Sequence, residues 1–321
     1  MRWNLGAGTG VGTLLILGEV HSGLLQNRSP LSVDLAAQVL ELVLGEAVLV
    51  SERPIQFVQS PSMLAGVDCS LPVTAGKPMR GIGTVAARAS LVGGHVVQGS
   101  AHVRVTGTDR THRLPWSYYL AKPGVVETAG RTPGPEVAEA FLAAGRAPET
   151  LDLGAIAARV VDQVQATELL DRRSKIKVVR TRLRWAAEAD DEARGVRVEF
   201  GVDADGFRTL RLRTGPIAAA DLVAVCADVA LHDWLLTALI ELVRKSALGV
   251  IPRREALDRL VPAVDYLPHL WMPAARLSAD VQPVWDALER RPGFTRQWET
   301  LIRRIRDQLS VGAATRSAAV A

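Results

Sequence analysis

Apolar and charged residues alternate along three short stretches between residues 176 and 214. Successive side chains of a β-strand point to opposite faces, so each stretch predicts a strand with one apolar and one basic face. The apolar positions are Val179, Thr181, Leu183, Trp185, Val196, Val198, Phe200, Leu210 and Leu212. The basic positions, which we call the arginine face, are Arg180, Arg182, Arg184, Arg197, Arg211 and Arg213.

Helical periodicity is found on both sides of these strands. Residues 218–248 are apolar on nearly every side and end before Gly249 and Pro252, which predicts a core helix packed on the apolar side of the strands. A helix capped by Asp152 precedes the strands. Two more helices are predicted at about 278–290 and 295–309, and the small residues 311–321 predict a disordered tail.

The first 135 residues predict mostly β-structure with one helix. Strands are predicted at 13–20 and 47–53, separated by a helix over 33–44 that Ser32 caps. A meander over 82–92, 95–106 and 110–120 follows, with glycine-containing turns, and Pro115 confines its third strand to an edge. Glycine and proline are concentrated in residues 122–135, which therefore predict a linker.

Together these elements predict an α+β fold in two domains, for which 321 residues are sufficient. Residues 1–135 form an N-terminal antiparallel β-rich domain with one helix. Residues 136–310 form a small antiparallel sheet packed on α-helices, followed by the tail at 311–321.

The charge distribution singles out the arginine face. Residues 172–213 contain twelve Lys or Arg and seven Asp or Glu, a local charge of +5, whereas the whole chain carries +4. The remainder is therefore close to neutral, and an anionic partner is expected at this part of the molecule.

Two interpretations of the arginine face stay open. In the first, the arginines pair locally with carboxylates such as Glu199 or those of the acidic loop at 186–194. In the second, they form one unneutralised plate that binds an acidic protein or a nucleic acid. The face lacks predicted exposed aromatic residues, since Trp185 and Phe200 lie on the apolar side, which argues against stacking of single-stranded bases.

Candidate catalytic chemistry is sparse. His232 and Asp233 are adjacent, as in metal-dependent phosphohydrolases, but those enzymes need a further upstream histidine, and none lies between His112 and His232. Asp228 lies four residues before His232 on the same helical stripe, where a carboxylate pairs with an imidazole. Asp228, His232 and Asp233 are thus the only residues nominated for catalysis.

The sequence predicts no cofactor and no metal site. The glycines at 6, 8, 10 and 12 lack the lysine of a phosphate loop and the strand–helix context of a dinucleotide fingerprint. Cys69 and Cys226 stand far apart without neighbouring ligands, which argues against zinc and disulfides and favours a reducing cytoplasm. The acidic residues within 217–243 argue against a membrane span.

Two short motifs resemble those of a known family: Leu17-Gly18-Glu19-Val20-His21 and Ala230-Leu231-His232-Asp233-Trp234-Leu235-Leu236. They are similar to an uncharacterised family of actinobacterial, Streptomyces-type cytoplasmic proteins that is encoded near a variant P-loop protein and a methyltransferase. The resemblance implies a component of a multi-protein system and transfers no catalytic residue.

The sequence therefore favours a non-catalytic binding or assembly subunit that uses the arginine face to hold an acidic protein or nucleic acid. The alternative is an enzyme that acts on a phosphate-containing substrate near Asp228, His232 and Asp233. The oligomeric state is left open by the sequence.

Overall fold

A computed structural model describes most of the chain: residues 14–74, 77–110, 112–130, 134–143, 149–174, 176–190, 195–203, 206–246, 255–256, 260–261, 265 and 267–320, the last thirteen by backbone only. The glycine run at 6–12, residues 191–194 of the predicted acidic loop at 186–194 and the turn residues 204–205 lie outside the described residues.

The described secondary structure consists of ten strands and seven α-helices. The strands are β1 (Leu14–Leu24), β2 (Leu49–Ser51), β3 (Phe57–Gln59), β4 (Met63–Leu71), β5 (Met79–Val92), β6 (Val96–Thr108), β7 (Val125–Ala129), β8 (Thr181–Ala189), β9 (Arg197–Val202) and β10 (Phe207–Thr214). The helices are α1 (Val33–Val39), α2 (Trp116–Leu120), α3 (Gly134–Ala143), α4 (Leu153–Gln165), α5 (Ala219–Lys245), α6 (Gln282–Arg290) and α7 (Phe294–Val320).

All ten strands belong to one sheet, in the order β2-β3-β5-β7-β6-β1-β8-β10-β9, with β4 paired to β5. Most neighbours are antiparallel, and the pairs β6–β7 and β8–β10 are parallel. The predicted α+β class is confirmed. Strand β1 pairs along its length with β8, so the sheet crosses the predicted domain boundary at residue 135.

The three arginine-bearing strands do not lie in chain order. Strand β10 lies between β8 and β9, so β9 is at the edge of the sheet. Burial accompanies this order, since Leu210 and Leu212 of β10 are fully buried whereas Val198 and Phe200 of β9 are only half-buried.

The predicted third strand of the meander, over 110–120, is wrong. Residues 116–120 form helix α2, which begins directly after Pro115. Proline has no N–H to give to a ladder, and its fixed φ suits the start of a helix. The third strand of this region is instead β7, inside the predicted linker, where it pairs with β5 and β6.

Apolar side chains are buried on both faces of the sheet. On one face, α5, α6 and α7 cover Leu183, Trp185, Leu210 and Leu212, so the predicted packing of the long helix on the apolar side of the strands is confirmed. On the other face, α1, α3 and α4 cover a second cluster that includes Leu17 and Ala186. The arginine face thus points toward a helical layer.

Helix α5 is long and apolar enough to cross a membrane by length and composition alone, and 72% of its most apolar window is buried within the protein. Helix α7 continues to Val320, beyond the predicted helix end at 309 and into the predicted tail.

Candidate binding face and groove

The inner half of the arginine face is built around a buried carboxylate on β1. The register of β1 and β8 places Glu19 opposite Arg184 and His21 opposite Arg182. Glu19 Oε2 lies 3.1 Å from Arg184 Nε, and Glu19 Oε1 lies 3.4 Å from both Arg182 Nε and His21 Nε2. Glu19 and Arg184 are 1% and 7% exposed. These four side chains, which we call the Glu19 cluster, form a desolvated ionic network.

The electrostatics of the Glu19 cluster favour the ionised carboxylate. Burial raises the pKa of Glu19, but contact with His21 and the Arg184 guanidinium outweighs burial, so the pKa lies below its ordinary value. A buried carboxylate is stable only when such partners replace its water. Arg182 and Arg184 therefore hold β8 to β1.

A second carboxylate occupies the opposite end of the face. Glu188 Oε1 lies 3.0 Å from Arg211 Nε and 3.4 Å from Arg213 Nε. Helix α3 lies over the same side chains: Arg211 donates to the Pro135 carbonyl at 3.1 Å, and Arg184 donates to the Phe141 carbonyl at 3.2 Å. These bonds fix α3 to the arginine face.

The two remaining arginines lie near the surface. Arg180 pairs with Asp162 of α4 at 3.1 Å. Arg197 is exposed on β9, opposite Arg213. Five of the six arginines thus have a carboxylate partner, as the locally paired interpretation requires, and they share the three carboxylates of Glu19, Glu188 and Asp162.

An open groove runs along the outer edge of the same strands, with a volume of about 780 Å³. Its floor comes from β9 and β10 and its walls from the end of α3 and the end of α6. The lining residues are Glu139, Leu142, Ala143, Val198, Glu199, Phe200, Gly201, Asp203, Thr209, Arg211, Ala287, Arg291 and Pro292. We call it the β9 groove.

The floor of the β9 groove is an unpaired strand edge. Strand β9 pairs with β10 from Arg197 to Val202, and no other described strand pairs with it. In an antiparallel pair, alternate residues turn their N–H and C=O groups away from the partner. About half of the backbone groups of β9 therefore face the groove, ready to pair with another extended chain.

The three catalytic nominees are buried, and Asp228 and His232 contact each other. His232 Nδ1 lies 2.8 Å from the Asp228 carbonyl oxygen and 3.6 Å from its Oδ2, while the ring packs edge-on against Trp271 and Trp285. Asp228 also accepts from the Ala274 N–H at 2.9 Å.

Asp233 takes part in a different contact on the same helix. It pairs with buried Arg208 of β10 at 3.0 Å. None of the three nominees lines the β9 groove. Within the described ranges, no group of three or more His, Cys, Asp or Glu side chains is placed to hold a metal ion. Asp233 holds α5 to β10 of the sheet, and Asp228 holds α5 to the loop at Ala274.

Burial lowers the pKa of His232, although the Asp228 carboxylate acts in the opposite direction. A folded-state pKa below that of the unfolded chain, near 6.5, means that His232 contributes stability above that value and loses it as the pH falls. We expect the free energy of unfolding to fall between pH 7 and pH 5. Urea unfolding across this range measures it.

A His232→Gln variant is the control for this titration, because it keeps a hydrogen-bonding group that does not titrate. Its slope between pH 7 and pH 5 should be shallower than that of the wild type. Equal slopes would mean that other groups cause the pH dependence.

Sequence reasoning placed Glu188, the partner of Arg211 and Arg213, in the acidic loop at 186–194, but it missed Glu19 and Asp162 as partners of the other arginines. Glu19 and His21 interrupt an apolar strand at alternate positions, and this interruption was the available signal. It also missed Phe207, which lies on the arginine face with its ring 4.6 Å from the Arg182 guanidinium and 5.2 Å from that of Arg184.

Comparisons with known proteins add no relative: no family model matches the chain, and neither the curated proteins nor the solved structures give a match. The conclusions on function therefore rest on the residues and geometry described above.

Proposed function

We propose that this protein is a non-catalytic binding subunit that holds an extended segment of a partner protein along the open edge of β9. The observation that carries the proposal is the β9 groove, in which an unpaired strand edge lies between two helical walls. Addition of a strand to such an edge is a common mode of peptide recognition, with affinity from main-chain hydrogen bonds and specificity from side-chain pockets.

The groove favours a protein over a nucleic acid, the other partner that the sequence left open. A nucleic acid has no backbone N–H and C=O ladder to continue the sheet. The lining charges are also mixed, with Glu139, Glu199 and Asp203 beside Arg211 and Arg291. Such a site suits a segment that carries charges of both signs, whereas a phosphate backbone would face the three acidic groups.

The two faces of β9 define the side chains that the partner would present. Val198 and Phe200 lie with the apolar cluster on the side of α6, whereas Glu199 and Gly201 lie on the side of α3. A strand added beside β9 continues the same alternation. The partner segment would thus alternate apolar residues toward α6 with charged residues toward α3.

The proposal also covers the assembly to which the protein belongs and its location in the cell. The resemblance to an actinobacterial family implies membership of a multi-protein system, and a strand-binding groove fits an assembly subunit. We also propose a cytoplasmic location, which the two free cysteines support. We do not adopt the enzyme alternative, because Asp228, His232 and Asp233 are buried in structural contacts.

The test is a change that fills the groove and leaves the fold intact. Ala143 is exposed at the end of α3 and lines the groove, so Ala143→Arg places a long cation in the space for the partner strand. Peptides selected on the wild-type protein from a random library displayed on phage should bind A143R at least about tenfold more weakly, measured by fluorescence anisotropy.

Ala155→Arg is the matched control, because Ala155 is exposed on α4 outside the groove. Its peptide affinity should equal that of the wild type. Failure to select any peptide, or selected peptides that bind all three proteins equally, would contradict the proposal.

A further inference from the structure

A cationic surface that the arginine face does not include lies around helix α2. Four cations surround two carboxylates there: Asp68 lies 2.7 Å from Arg80 and 3.8 Å from Arg113, and Glu127 lies 2.7 Å from Lys122 and 3.5 Å from Arg110. Because each carboxylate is shared by two cations, two positive charges are left without compensation. The four basic side chains are between 42% and 66% exposed.

The two carboxylates remain ionised at neutral pH, so this charge count holds. The Arg80 hydrogen bond keeps the pKa of Asp68 below its ordinary value. Burial raises the pKa of Glu127, but Lys122 and the Tyr118 hydroxyl outweigh it and the net change is downward. The surface therefore keeps an excess of positive charge.

Aromatic rings lie among these cations. The Trp116 ring is partly exposed with the Arg113 guanidinium 4.9 Å from its centre, and Arg110 lies 4.8 Å from the Tyr118 ring. Buried Tyr119 packs edge-on against both rings and joins them into one surface. We call this surface the α2 patch; it comprises Arg80, Arg110, Arg113, Trp116, Tyr118 and Lys122.

Tyr118 is the centre of the polar contacts in the α2 patch. Arg110 and Lys122 both donate to its hydroxyl, which donates to Glu127 at 2.8 Å. Two cationic donors thus converge on one point at the surface. An incoming phosphate oxygen could replace the hydroxyl as their acceptor and gain charge-assisted hydrogen bonds.

The α2 patch and the arginine face differ in the solvent exposure of their basic side chains. Arg184 is buried against Glu19 and the Arg211 side chain is 11% exposed beside Glu188, whereas the cations of the α2 patch are open to solvent and lie beside an exposed tryptophan. Guanidinium groups beside accessible rings are the combination that binds single strands, in which cations contact phosphates and rings stack on bases.

We propose that the α2 patch binds single-stranded nucleic acid, with Arg110, Arg113 and Lys122 on phosphates and Trp116 stacked on a base. The site is separate from the β9 groove, since strands β6, β1, β8 and β10 lie between β7 and β9 in the sheet. The two binding activities are therefore testable independently.

The test is a fluorescence anisotropy titration with a labelled single-stranded oligonucleotide about 16 nucleotides long. The single strand should bind about tenfold more tightly than a duplex of the same sequence, because paired bases cannot stack on Trp116. A photocrosslink from 5-iodouracil in the oligonucleotide, mapped by mass spectrometry, should fall on Trp116 or Tyr118 of the wild-type chain.

Two variants distinguish the contribution of base stacking to oligonucleotide affinity from the contribution of phosphate contacts. Trp116→Ala should weaken binding by about tenfold with little change in salt dependence. The double variant Arg110→Gln and Arg113→Gln should reduce the slope of log K against log salt by about 1.4, from the loss of two phosphate contacts. The matched control, Arg159→Gln with Arg197→Gln, removes two exposed arginines elsewhere and should leave the slope unchanged.

Several outcomes would overturn the proposal. Equal affinity for single strand and duplex would remove the stacking role, and an equal effect of the control pair would place the contact elsewhere. Competition by poly-glutamate as strong as by unlabelled oligonucleotide would favour an acidic protein. Binding to vesicles that contain phosphatidylserine, without binding to the oligonucleotide, would favour a membrane surface.

Discussion

Replacing Glu19 with leucine is expected to lower the free energy of unfolding by about 3–5 kcal/mol. The substitution removes the carboxylate that lies 3.1 Å from Arg184, whose guanidinium is almost fully buried between β8 and α3. Arginine cannot lose its proton, so its charge would be left in a low-dielectric site without a counter-charge. Urea unfolding at neutral pH measures the loss.

Two variants establish that the loss comes from an uncompensated charge. Adding Arg184→Met to Glu19→Leu replaces the pair with apolar groups and should restore most of the stability. Asp162→Ala removes the partner of Arg180 at the surface and should cost no more than about 1 kcal/mol. A Glu19→Leu loss as small as that of Asp162→Ala would mean that the Glu19 cluster is not the structural unit described above.

Gly99→Ala is expected to lower the free energy of unfolding by about 1–3 kcal/mol. A Cβ at this position of β6 would lie 2.4 Å from the Ala157 carbonyl oxygen and 2.6 Å from Val161 Cγ2, both on α4. A backbone oxygen cannot move aside like the end of a side chain, so α4 would have to move away from the sheet. Thermal unfolding measures the effect.

The matched control is Gly134→Ala at the start of α3, where an added Cβ meets no described atom within 4 Å. It should be neutral or slightly stabilising, because alanine loses less backbone entropy on folding than glycine. Equal losses at both positions would contradict the close contact between α4 and β6.

Local patterns predicted which way each side chain of the arginine-bearing strands points. Leu183, Trp185, Leu210 and Leu212 lie on the face covered by α5, as the period of two required. The long apolar helix also took its predicted place, because a helix without a polar stripe is stable only inside a core.

The sequence pointed to the acidic loop at 186–194, which contains Glu188, but it could not predict that Glu19 pairs with Arg182 and Arg184. The charge count over residues 172–213 included only residues that are near in sequence. The Glu19 carboxylate beside Arg184 is 165 positions away in the chain. Pairing of β8 with β1 brings the two together, and strand pairing is decided by tertiary packing. Part of the local excess of arginine therefore forms structural ion pairs with carboxylates.

The β9 groove and the α2 patch also could not be predicted from local sequence patterns, because both depend on how the elements are arranged in the fold. The open edge of β9 exists because β10 lies between β8 and β9, an order that alternation alone cannot specify. The α2 patch exists because residues 116–120 form a helix instead of the predicted strand, which brings Trp116 and Tyr118 to one surface with the cations.

The central claim is that the open edge of β9, rather than the arginine face, receives a partner. Amide hydrogen exchange of the wild-type protein, with and without a peptide selected from the phage library, tests it most directly. We expect slowed exchange in residues 197–202 of β9 and no change in β1 or β8. Peptide-induced protection confined to β8, or an unchanged β9 in a saturated complex, would contradict it.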